Sequence, residues 1–423
     1  MRIESRPAQL RGPVKIPGSK SHTIRGVLLA SLAEGTSILR GPLSSADTAA
    51  AVNVYGALGA RIEQEDDLWR ITGIGGRPTA PGTVLDVMNS GTTTSVALGT
   101  LSLLTDGEAV ITGDESIQRR PAGPLVNALR MLGAEIEDVN GTGCPPFRVA
   151  GGLRGGRCEL EARNSQYVTS LLLACPLAPE DSIIDVPVLF ERPYVQMTLD
   201  WLDKLGIVIE YDHLQHYRIP GRQSYRAFDL PIPADFSSAT FFLAAGAIGN
   251  NKVTCTGLDL NDSQSDKAVV DFLRRMGADV TVDGDAVTVA ANRLQGCEFD
   301  LNDCPDTLPM MSVLACFAEG ETRLVNVEQA RIKETDRIAV MCAELKKLGA
   351  DVEERPDGLV IRQSELHGGD VCGHHDHRVV MSMAVAGAAA SAPVRIDTAE
   401  AAAVTFPTFR QLFGDVGGQT VDL

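Results

Sequence analysis

Apolar and polar positions follow one recurring order along this chain, which predicts a helix, a strand, a second helix and two further strands in each copy. In the segment 305–362, an apolar stretch predicts a helix over 305–318 and a strand at 322–325. Apolar residues near a 3.6-residue period predict a second helix over 333–348. The alternating strand that starts at Asp351 leads into a hairpin at Pro356-Asp357-Gly358. Together with a strand that leads into it, the segment is predicted to form one βαβαββ-like unit.

The phrase Leu-Gly-Ala, or a close variant, marks the end of the second helix in each copy. Glycine at this point suits the left-handed backbone that commonly ends a helix. Five copies follow one another at intervals of 71 to 74 residues, at Gly59, Gly133, Gly206, Gly277 and Gly349. A degenerate sixth copy is predicted at Phe413-Gly414-Asp415. A repeat of this kind indicates an architecture of six similar units.

The first helix of each copy is apolar around most of its circumference, as at 168–177 and 239–248, so it is predicted to be buried on all sides. The second helix has a charged face and is predicted to lie outside. Three units around their buried helices would make a domain of about 200 residues, and six units therefore make two domains. Because the sixth copy stops early, the segment 2–16 is predicted to complete it.

Charge and composition exclude several classes of protein. The chain is 44% hydrophobic and 22% charged, which is typical of a globular protein. Its 38 basic and 55 acidic residues give a net charge of −17, which argues against nucleic acid or anionic lipid as a general partner. Any anionic ligand therefore needs a local basic pocket. The nine cysteines form no CxxC pair and are predicted to be reduced, mostly buried thiols.

The amino-terminal segment has no apolar signal core, and no apolar run is long enough to span a bilayer. A cytoplasmic location is therefore expected.

Polar residues suited to chemistry recur where the buried helices are predicted to begin. Helix starts attract anions through their free N–H groups and the helix dipole. The starts are Ser19-Lys20-Ser21, Asn89-Ser90-Gly91-Thr92, Asn164-Ser165-Gln166, Asp235-Phe236-Ser237-Ser238, Asp306-Thr307 and Asp376-His377-Arg378. Ser, Asn and Asp at such positions are also ordinary N-caps.

Capping alone does not require the basic and amide residues that accompany these starts. The second helices add further basic residues, at Arg119-Arg120-Pro121, Arg192-Pro193-Tyr194 and Lys333-Glu334-Thr335-Asp336-Arg337. If all these ends face one cleft, the cleft holds many positive groups in a chain of negative net charge. Such a cleft is typical of a site for a polyanionic substrate.

Three other phrases suggest ligands that the surrounding sequence does not support. The segment 89–93 lacks the Gly-Lys-Ser/Thr of a nucleotidase, so it indicates backbone contact with a phosphate and not nucleoside triphosphate hydrolysis. The glycine-rich phrase at 73–76 opens no helix, which argues against a dinucleotide fold. His374, His375, Asp376 and His377 are metal-binding residue types, but adjacent residues rarely converge on one ion, and no metal is predicted.

Seven motifs occur in order along the chain. They are Pro17-Gly18-Ser19-Lys20-Ser21-x-Thr23-x-Arg25, Asn89-Ser90-Gly91-Thr92-Thr93, Arg120-Pro121, Ser165-Gln166, Pro305-Asp306, Lys333-Glu334-Thr335-Asp336-Arg337 and Asp376-His377-Arg378. This set resembles the signatures of the 5-enolpyruvylshikimate-3-phosphate synthase family of enolpyruvyl transferases, from about residue 3 to residue 413.

The resemblance implies the α/β enolpyruvyl transferase fold, an inside-out α/β barrel of two domains with three βαβαββ-like repeats in each. One domain would comprise 1–17 and 233–423 and the other 18–232, with hinges near 17–20 and 232–235 and the active site in the cleft between them. It also implies small-molecule substrates only, no cofactor, no nucleic acid or membrane partner, and a monomer.

The resemblance assigns substrate contacts to named residues. Lys20, Ser21 and Arg25 would hold the shikimate ring, and Ser21 and Arg25 would take its carboxylate. Ser165 and Lys333 would take the acceptor phosphate, Gln166 and Tyr194 would flank the ring, and Asp306 would meet the attacking hydroxyl. Phosphoenolpyruvate would be held by Lys20, Gly91, Arg120, Gln166, Arg337 and Arg378, and Asn89 is counted among the substrate-binding residues.

The implied reaction adds the 5-hydroxyl of shikimate-3-phosphate to C2 of phosphoenolpyruvate while the methylene carbon is protonated, and then eliminates phosphate. Such a reaction needs an acid and a base within hydrogen-bond reach. Asp306, Glu334 and Lys20 are the candidates, with His377 as a further one.

Four positions depart from the family pattern. Val404 stands where a lysine is expected and Ser95 where an arginine is expected, while Asn164 and Glu191 each replace a serine near the acceptor phosphate. A carboxylate close to a phosphate is unfavourable unless it is paired, for which Arg192 is the candidate here. A diverged paralogue that uses another or an unphosphorylated acceptor, or that runs only an elimination, is therefore the alternative hypothesis.

Two further alternatives fit the sequence less well. A UDP-N-acetylglucosamine enolpyruvyl transferase would have a cysteine in the loop before Arg120-Pro121, where 115–119 has none, and a Lys-Asn phrase near position 20. A non-catalytic binding protein on the same fold would have lost Asp306, Glu334 and His377, which are all present.

Overall fold

A computed structural model describes residues 1–423, and the contacts between Cα atoms divide the chain into two compact units. The continuous unit is Gly18–Ile232, and the discontinuous unit combines Met1–Pro17 with Pro233–Leu423. Each unit encloses an apolar core of its own. No helix of the structure is both long enough and apolar enough to cross a bilayer.

Twelve α-helices alternate between buried and partly exposed along the chain. They are α1 (Lys20–Leu32), α2 (Ala46–Ala57), α3 (Gly91–Leu101), α4 (Gly123–Met131), α5 (Ser165–Ala174), α6 (Arg192–Lys204), α7 (Phe236–Gly246), α8 (Ala268–Met276), α9 (Leu308–Ala315), α10 (Arg337–Lys347), α11 (His377–Ala389) and α12 (Phe409–Asp415). Short 3-10 helices lie at Ile117–Arg119, Cys175–Leu177, Ser265–Lys267, Pro305–Thr307, Glu328–Ile332 and Ala399–Val404.

Twenty-four short strands connect the helices. The first twelve are β1 (Ile3–Arg6), β2 (Arg11–Lys15), β3 (Thr36–Arg40), β4 (Arg61–Glu65), β5 (Leu68–Thr72), β6 (Leu85–Asp86), β7 (Ala109–Thr112), β8 (Ile136–Asp138), β9 (Phe147–Val149), β10 (Gly156–Glu159), β11 (Ser182–Asp185) and β12 (Glu210–Asp212). The others are β13 (His216–Ile219), β14 (Asp229–Pro231), β15 (Lys252–Thr256), β16 (Asp279–Asp283), β17 (Ala286–Ala290), β18 (Glu298–Asp300), β19 (Glu321–Val325), β20 (Asp351–Arg355), β21 (Gly358–Arg362), β22 (Gly369–Val371), β23 (Val394–Ile396) and β24 (Gln419–Asp422).

The strands form six four-stranded sheets with one common pairing pattern. In the sheet β18-β19-β21-β20, the first pair is parallel and the other two are antiparallel. The other orders are β14-β3-β5-β4, β6-β7-β9-β8, β10-β11-β13-β12, β2-β15-β17-β16 and β22-β23-β1-β24. A parallel pair joined through a buried helix and followed by a hairpin is the predicted βαβαββ unit. The six repeats are therefore confirmed.

The chain termini and the segments between the units complete three sheets. β1 pairs with β23 and β24, as predicted for the start of the chain. The rest of the segment 2–16 differs from the prediction, because β2 pairs with β15 and supplies the first strand of the fourth repeat. β14 in turn supplies the first strand of the first repeat.

The odd-numbered helices form the interior, as their apolar circumference predicts. Every residue of α7 and α9 is buried, and α7, α9 and α11 contact one another in the discontinuous unit. In the continuous unit, α3 packs closely on α5, since a Cβ at Gly99 would lie 2.6 Å from Ser170 Oγ. The even-numbered helices are amphipathic, as in α8, where Asp271, Arg274 and Arg275 are exposed opposite a buried apolar face.

Three predicted helix boundaries are wrong. The first helix of the fifth repeat ends at residue 315 and not at 318. The second helix of the fifth repeat begins at Arg337 and not at 333, because the Asp336 side chain accepts the N–H of Ala339 and caps the helix there. In the sixth repeat the left-handed glycine after the helix is Gly417, with φ +100°, whereas Gly414 lies inside α12. The repeated glycine in the earlier copies has positive φ, as predicted.

All nine cysteines are free thiols, six of them buried, as predicted. Burial raises the pKa of Cys175 to about 12.

Candidate active site

The candidate residues form separate groups within each unit. In the continuous unit, one group surrounds the start of α3. Arg120 Nη2 donates to Asn89 Oδ1 at 3.2 Å and to Ser116 Oγ at 3.1 Å. A Cβ added at Gly91 would lie 2.8 Å from Arg120 Nη1, so any larger residue would displace the guanidinium from this position at the first turn of the helix. A helix start and an adjacent guanidinium together make an anion-binding position.

The second group lies at the start of α1. Lys20 occupies the first position of the helix, and its Nζ lies 3.0 Å from Asp47 Oδ2. Both side chains are largely shielded, at 16% and 7% exposure. Because the shielding is incomplete, Lys20 can present its charge to a ligand while Asp47 fixes its position.

Arg25 is fully buried and has only neutral oxygen partners. Its Nε donates to Thr198 Oγ1 at 2.9 Å, its Nη1 donates to the Ser21 carbonyl at 3.0 Å, and its Nη2 donates to the Tyr194 carbonyl at 3.0 Å. Nη2 also donates to Thr169 Oγ1 at 3.3 Å. Burial lowers the pKa of Arg25 to about 10. A buried guanidinium without a protein carboxylate is suited to receive a carboxylate from a ligand.

The third group lies at the start of α5. The Asn164 side chain caps the helix by accepting the N–H of Gln166 at 3.0 Å. Ser165 Oγ donates to Glu191 Oε2 at 2.7 Å, and Ser165 N–H donates to the same oxygen at 3.2 Å. Gln166 Nε2 donates to Ser165 Oγ at 3.1 Å. Tyr167 connects this helix to the Arg120-Pro121 turn by donating to the carbonyl of Pro121.

The discontinuous unit gathers its candidate residues around Arg337. This side chain is 1% exposed, and its Nη1 lies 2.7 Å from Asp306 Oδ1. Nη2 lies 2.5 Å from Glu334 Oε2, and Nε lies 2.8 Å from Asp376 Oδ2. Burial alone would lower the pKa of Arg337, but the charges of Asp376, Glu334 and Asp306 raise this pKa well above its usual value. Arg337 therefore stays charged and holds three carboxylates in fixed positions.

Arg378 binds the other oxygen of Asp306, with Nη2 donating to Oδ2 at 2.9 Å. Asp376 caps α11 by accepting the N–H of Arg378 at 2.8 Å, and it also accepts from Thr335 Oγ1 at 3.2 Å. Burial would raise the pKa of Asp376, but the charge of Arg337 holds it below the usual range. Both oxygens of Asp306 are thus oriented by arginines.

His377 is 2% exposed, and its Nε2 has no hydrogen-bond partner within the protein. Burial lowers the pKa of its ring to about 3. The imidazole is therefore neutral near pH 7, so it can act there as a neutral donor or acceptor but not as a cationic acid.

Lys333 and Glu334 lie on the segment between the 3-10 helix Glu328–Ile332 and α10. Arg331 fixes this segment, since its Nη1 donates to Asp336 Oδ2 at 2.7 Å and its Nε donates to the Pro356 carbonyl at 2.8 Å. The motif 333–337 is thus a short connection held at both ends, and not the helical turn that the sequence predicted.

The predicted site residues divide between the two units. Lys20, Ser21, Arg25, Asn89, Gly91, Arg120, Ser165, Gln166 and Tyr194 lie in the continuous unit, and Asp306, Lys333, Glu334, Arg337, His377 and Arg378 lie in the discontinuous unit. The sequence did not assign site roles to Asp47 and Asp376, which orient Lys20 and Arg337. The sequence feature that could have indicated these roles is an acidic residue at the start of a helix. The same feature is also expected of an ordinary N-cap residue.

Two of the departures from the family pattern lie within helices, Ser95 in α3 and Val404 in a 3-10 helix. Ser95 is buried inside α3, where its carbonyl accepts the hydroxyl of Ser170 at 2.6 Å. Val404 ends the 3-10 helix Ala399–Val404, which packs on α11.

The chain resembles known proteins over its whole length. Two relatives are both named 3-phosphoshikimate 1-carboxyvinyltransferase. The one from Acetivibrio thermocellus is 51% identical over 409 residues, covering 97% of this chain and 96% of the relative. The one from Ruminiclostridium cellulolyticum is 47% identical over 419 residues, covering 99% of each chain.

Solved structures give the same result for the fold. EPSP synthase from Acinetobacter baumannii has a TM-score of 0.85 at 28% identity and covers 100% of both chains. The enolpyruvyl transferase NikO from Streptomyces tendae has a TM-score of 0.78 at 18% identity, covering 99% of this chain and 98% of NikO, a likeness of fold alone. The fold is therefore that of the enolpyruvyl transferases, as predicted.

The family follows from the sequence match. Residues 5–413 match the model of EPSP synthase (3-phosphoshikimate 1-carboxyvinyltransferase). The chain belongs to the EPSP synthase family.

Proposed function

We propose that this protein transfers the enolpyruvyl group of phosphoenolpyruvate to the 5-hydroxyl of shikimate-3-phosphate and releases inorganic phosphate. The observation that carries the proposal is the Arg337 group, in which Asp306 and Glu334 are both fixed by one buried guanidinium. Family membership supports the choice of substrates.

The reaction needs two proton transfers in the addition step and one in the elimination step. In the addition step, the acceptor oxygen bonds to C2 of phosphoenolpyruvate, its proton goes to a base, and the methylene carbon receives a proton. In the elimination step, the bond from C2 to the phosphate oxygen breaks, and the methyl carbon returns a proton. Positioned side chains supply such transfers without a cofactor.

We assign the proton transfers to Asp306, Glu334 and Lys20. Asp306 is 20% exposed and Glu334 is 12% exposed, so each can reach a ligand while arginines fix both oxygens of Asp306 and one oxygen of Glu334. Asp306 is the residue proposed to meet the acceptor hydroxyl, and Glu334 and Lys20 to serve the methylene carbon. His377, neutral at pH 7, is proposed to donate or accept a hydrogen bond.

Anion binding is assigned to the helix starts and their basic residues. Arg120 with the first turn of α3, together with Lys20 and Arg378, is proposed to bind phosphoenolpyruvate, with Gln166 beside it. Arg337 has carboxylate partners on all three of its nitrogens, so we infer that it acts on phosphoenolpyruvate mainly by ordering the carboxylates. Arg25 and Ser21 are proposed to receive the carboxylate of the acceptor.

Ser165 and Lys333 are proposed to bind the acceptor phosphate, and Tyr194 and Gln166 to flank the acceptor ring. We further propose that the protein works as a cytoplasmic monomer on these small molecules, without nucleic acid or membrane partners.

A panel of acceptors tests the function. Phosphate release from phosphoenolpyruvate would be measured with shikimate-3-phosphate, shikimate, UDP-N-acetylglucosamine and no acceptor. Release that depends on shikimate-3-phosphate supports the proposal. Release that needs no acceptor would indicate an elimination or hydrolysis, and preference for shikimate would indicate a paralogue with an unphosphorylated acceptor.

A further inference from the structure

The start of α5 holds an internal anion. Glu191 is 2% exposed, and its Oε2 accepts both the hydroxyl of Ser165 at 2.7 Å and the backbone N–H of Ser165 at 3.2 Å. These are the hydrogen bonds that a bound phosphate or carboxylate oxygen would receive at the first turn of a helix. The carboxylate of Glu191 thus stands in the anion-binding position.

Glu191 does not serve its own helix. It is the N-cap residue of α6, but its side chain makes no capping hydrogen bond there. Its backbone is left-handed, at φ +56°, a conformation that is unfavourable for a residue other than glycine, asparagine or aspartate. The backbone at Glu191 is therefore locally strained, and its carboxylate is hydrogen-bonded to α5 and not to its own helix α6.

The neighbouring Gln166 gives an independent sign of a ligand at this place. Its Nε2 donates to Ser165 Oγ, which directs the serine hydroxyl hydrogen to Glu191. Its Oε1 is buried and has no hydrogen-bond partner, although the side chain is only 8% exposed. A buried acceptor without a donor is costly, and a bound molecule with a hydroxyl or amine would satisfy it.

We propose that Glu191 sets acceptor specificity by competing with the acceptor's phosphate for the donors of Ser165. This inference rests on the proposed function, which gives the acceptor a phosphate at Ser165. Two anions cannot share these donors at close range without strong repulsion, so Glu191 must move away when the phosphate binds. The competition weakens binding of the phosphorylated acceptor and leaves an unphosphorylated analogue little affected.

Direct binding measurements test the competition without any need for turnover. The dissociation constants of shikimate-3-phosphate and of shikimate would be measured by calorimetry with the wild type, Glu191→Gln and Glu191→Asn. Glutamine keeps the shape of the side chain and removes its charge. Asparagine also removes the charge and tolerates the left-handed backbone, so it serves if the glutamine variant fails to fold. The control is Glu180→Gln, which removes an exposed charge from the same unit.

We expect either neutral variant to bind shikimate-3-phosphate about tenfold more tightly than the wild type, with shikimate affinity within about twofold. The Glu180→Gln control should match the wild type for both ligands. Unchanged or weaker binding of shikimate-3-phosphate by a folded neutral variant would overturn the inference, as would an equal gain for shikimate. If binding tightens as expected but no variant turns over, the inference holds and the proposed reaction fails.

Discussion

Replacing Asp376 by asparagine tests whether one buried carboxylate organises the Arg337 group. Asp376 is completely buried. It accepts two hydrogen bonds from Arg337, from Nε at 2.8 Å and from Nη2 at 3.3 Å, and one each from Thr335 Oγ1 and the N–H of Arg378. Asparagine keeps the shape and one acceptor oxygen, so it can still cap α11, but it turns an amide NH2 towards the guanidinium.

The expected decrease in unfolding free energy follows from the cost of breaking one buried ion pair and from the partners that Arg337 keeps. Removing one partner of a buried ion pair typically costs about 3–5 kcal/mol. Arg337 keeps Asp306 and Glu334 as partners, so its charge is not left uncompensated, and the lower end, about 3 kcal/mol, applies. Against a typical total of about 5–15 kcal/mol, this loss is readily measured.

Urea denaturation provides the assay, because the two units carry different probes. Both tryptophans, Trp69 and Trp201, lie in the continuous unit, so their fluorescence follows that unit while far-UV circular dichroism follows both. We expect that, in Asp376→Asn, part of the change in dichroism occurs at a lower urea concentration than in the wild type. The midpoint of the fluorescence change should shift by a smaller amount.

The control for this experiment is Asp370→Asn, an exposed carboxylate in the same unit that pairs with Arg395. Exposed ion pairs are worth about 0–1 kcal/mol, so this variant should resemble the wild type. Equal midpoints for the Asp376 and Asp370 variants would refute the reasoning that Asp376 organises the group.

Three further predictions concern the proposed reaction and the pH dependence. Gly91→Ala should raise the KM for phosphoenolpyruvate about tenfold or more with little change in stability, because the new Cβ displaces the Arg120 guanidinium that lies 2.8 Å from its position. Steady-state kinetics would measure this KM, and an unchanged value would contradict the prediction. Asp306→Asn and Glu334→Gln should each lower kcat about 10²–10⁴-fold, and a loss confined to KM would argue against a role in proton transfer. Burial lowers the pKa of His377 to about 3 in the folded protein, so as the pH falls the unfolded chain takes up a proton at this histidine before the folded protein does. The free energy of unfolding is therefore expected to decrease as the pH falls below about 6.5, by about 2 kcal/mol at pH 5. His377→Asn should reduce the difference in unfolding free energy between pH 7 and pH 5. Denaturation at these two pH values would measure that difference, and a difference equal to that of the wild type would contradict the prediction.

The repeat pattern predicted the fold because hydrophobic period and turn chemistry are local properties. The boundary errors at 333 and 414 have local causes that the pattern does not contain. Asp336 stops α10 from extending back to 333 by capping it, and α12 runs past Gly414 to a second glycine, Gly417. The place of β2 was also missed, since strand pairing across more than 200 residues leaves no trace in local periodicity.

For the site, the sequence identified which helix starts carry basic and acidic groups. It could not predict how those groups pair, because pairing depends on how separate helices and loops pack, both within a repeat and between repeats. The binding of Glu191 to Ser165 joins two segments 26 residues apart, and Arg337 joins Asp306 of its own repeat to Asp376 of the next repeat. Arg25 likewise bonds to residues of α5 and α6, whereas its sequence motif lies in α1.

The identity and amount of the product test the proposed enolpyruvyl transfer most directly. The purified protein would be incubated with shikimate-3-phosphate and phosphoenolpyruvate, and the enolpyruvyl ether would be measured by mass spectrometry alongside free phosphate, with Asp306→Asn as the comparison. We expect equal amounts of ether and phosphate from the wild type and a greatly reduced rate from the variant. Phosphate without the ether, or no turnover by a protein that binds both substrates, would contradict the proposed transfer.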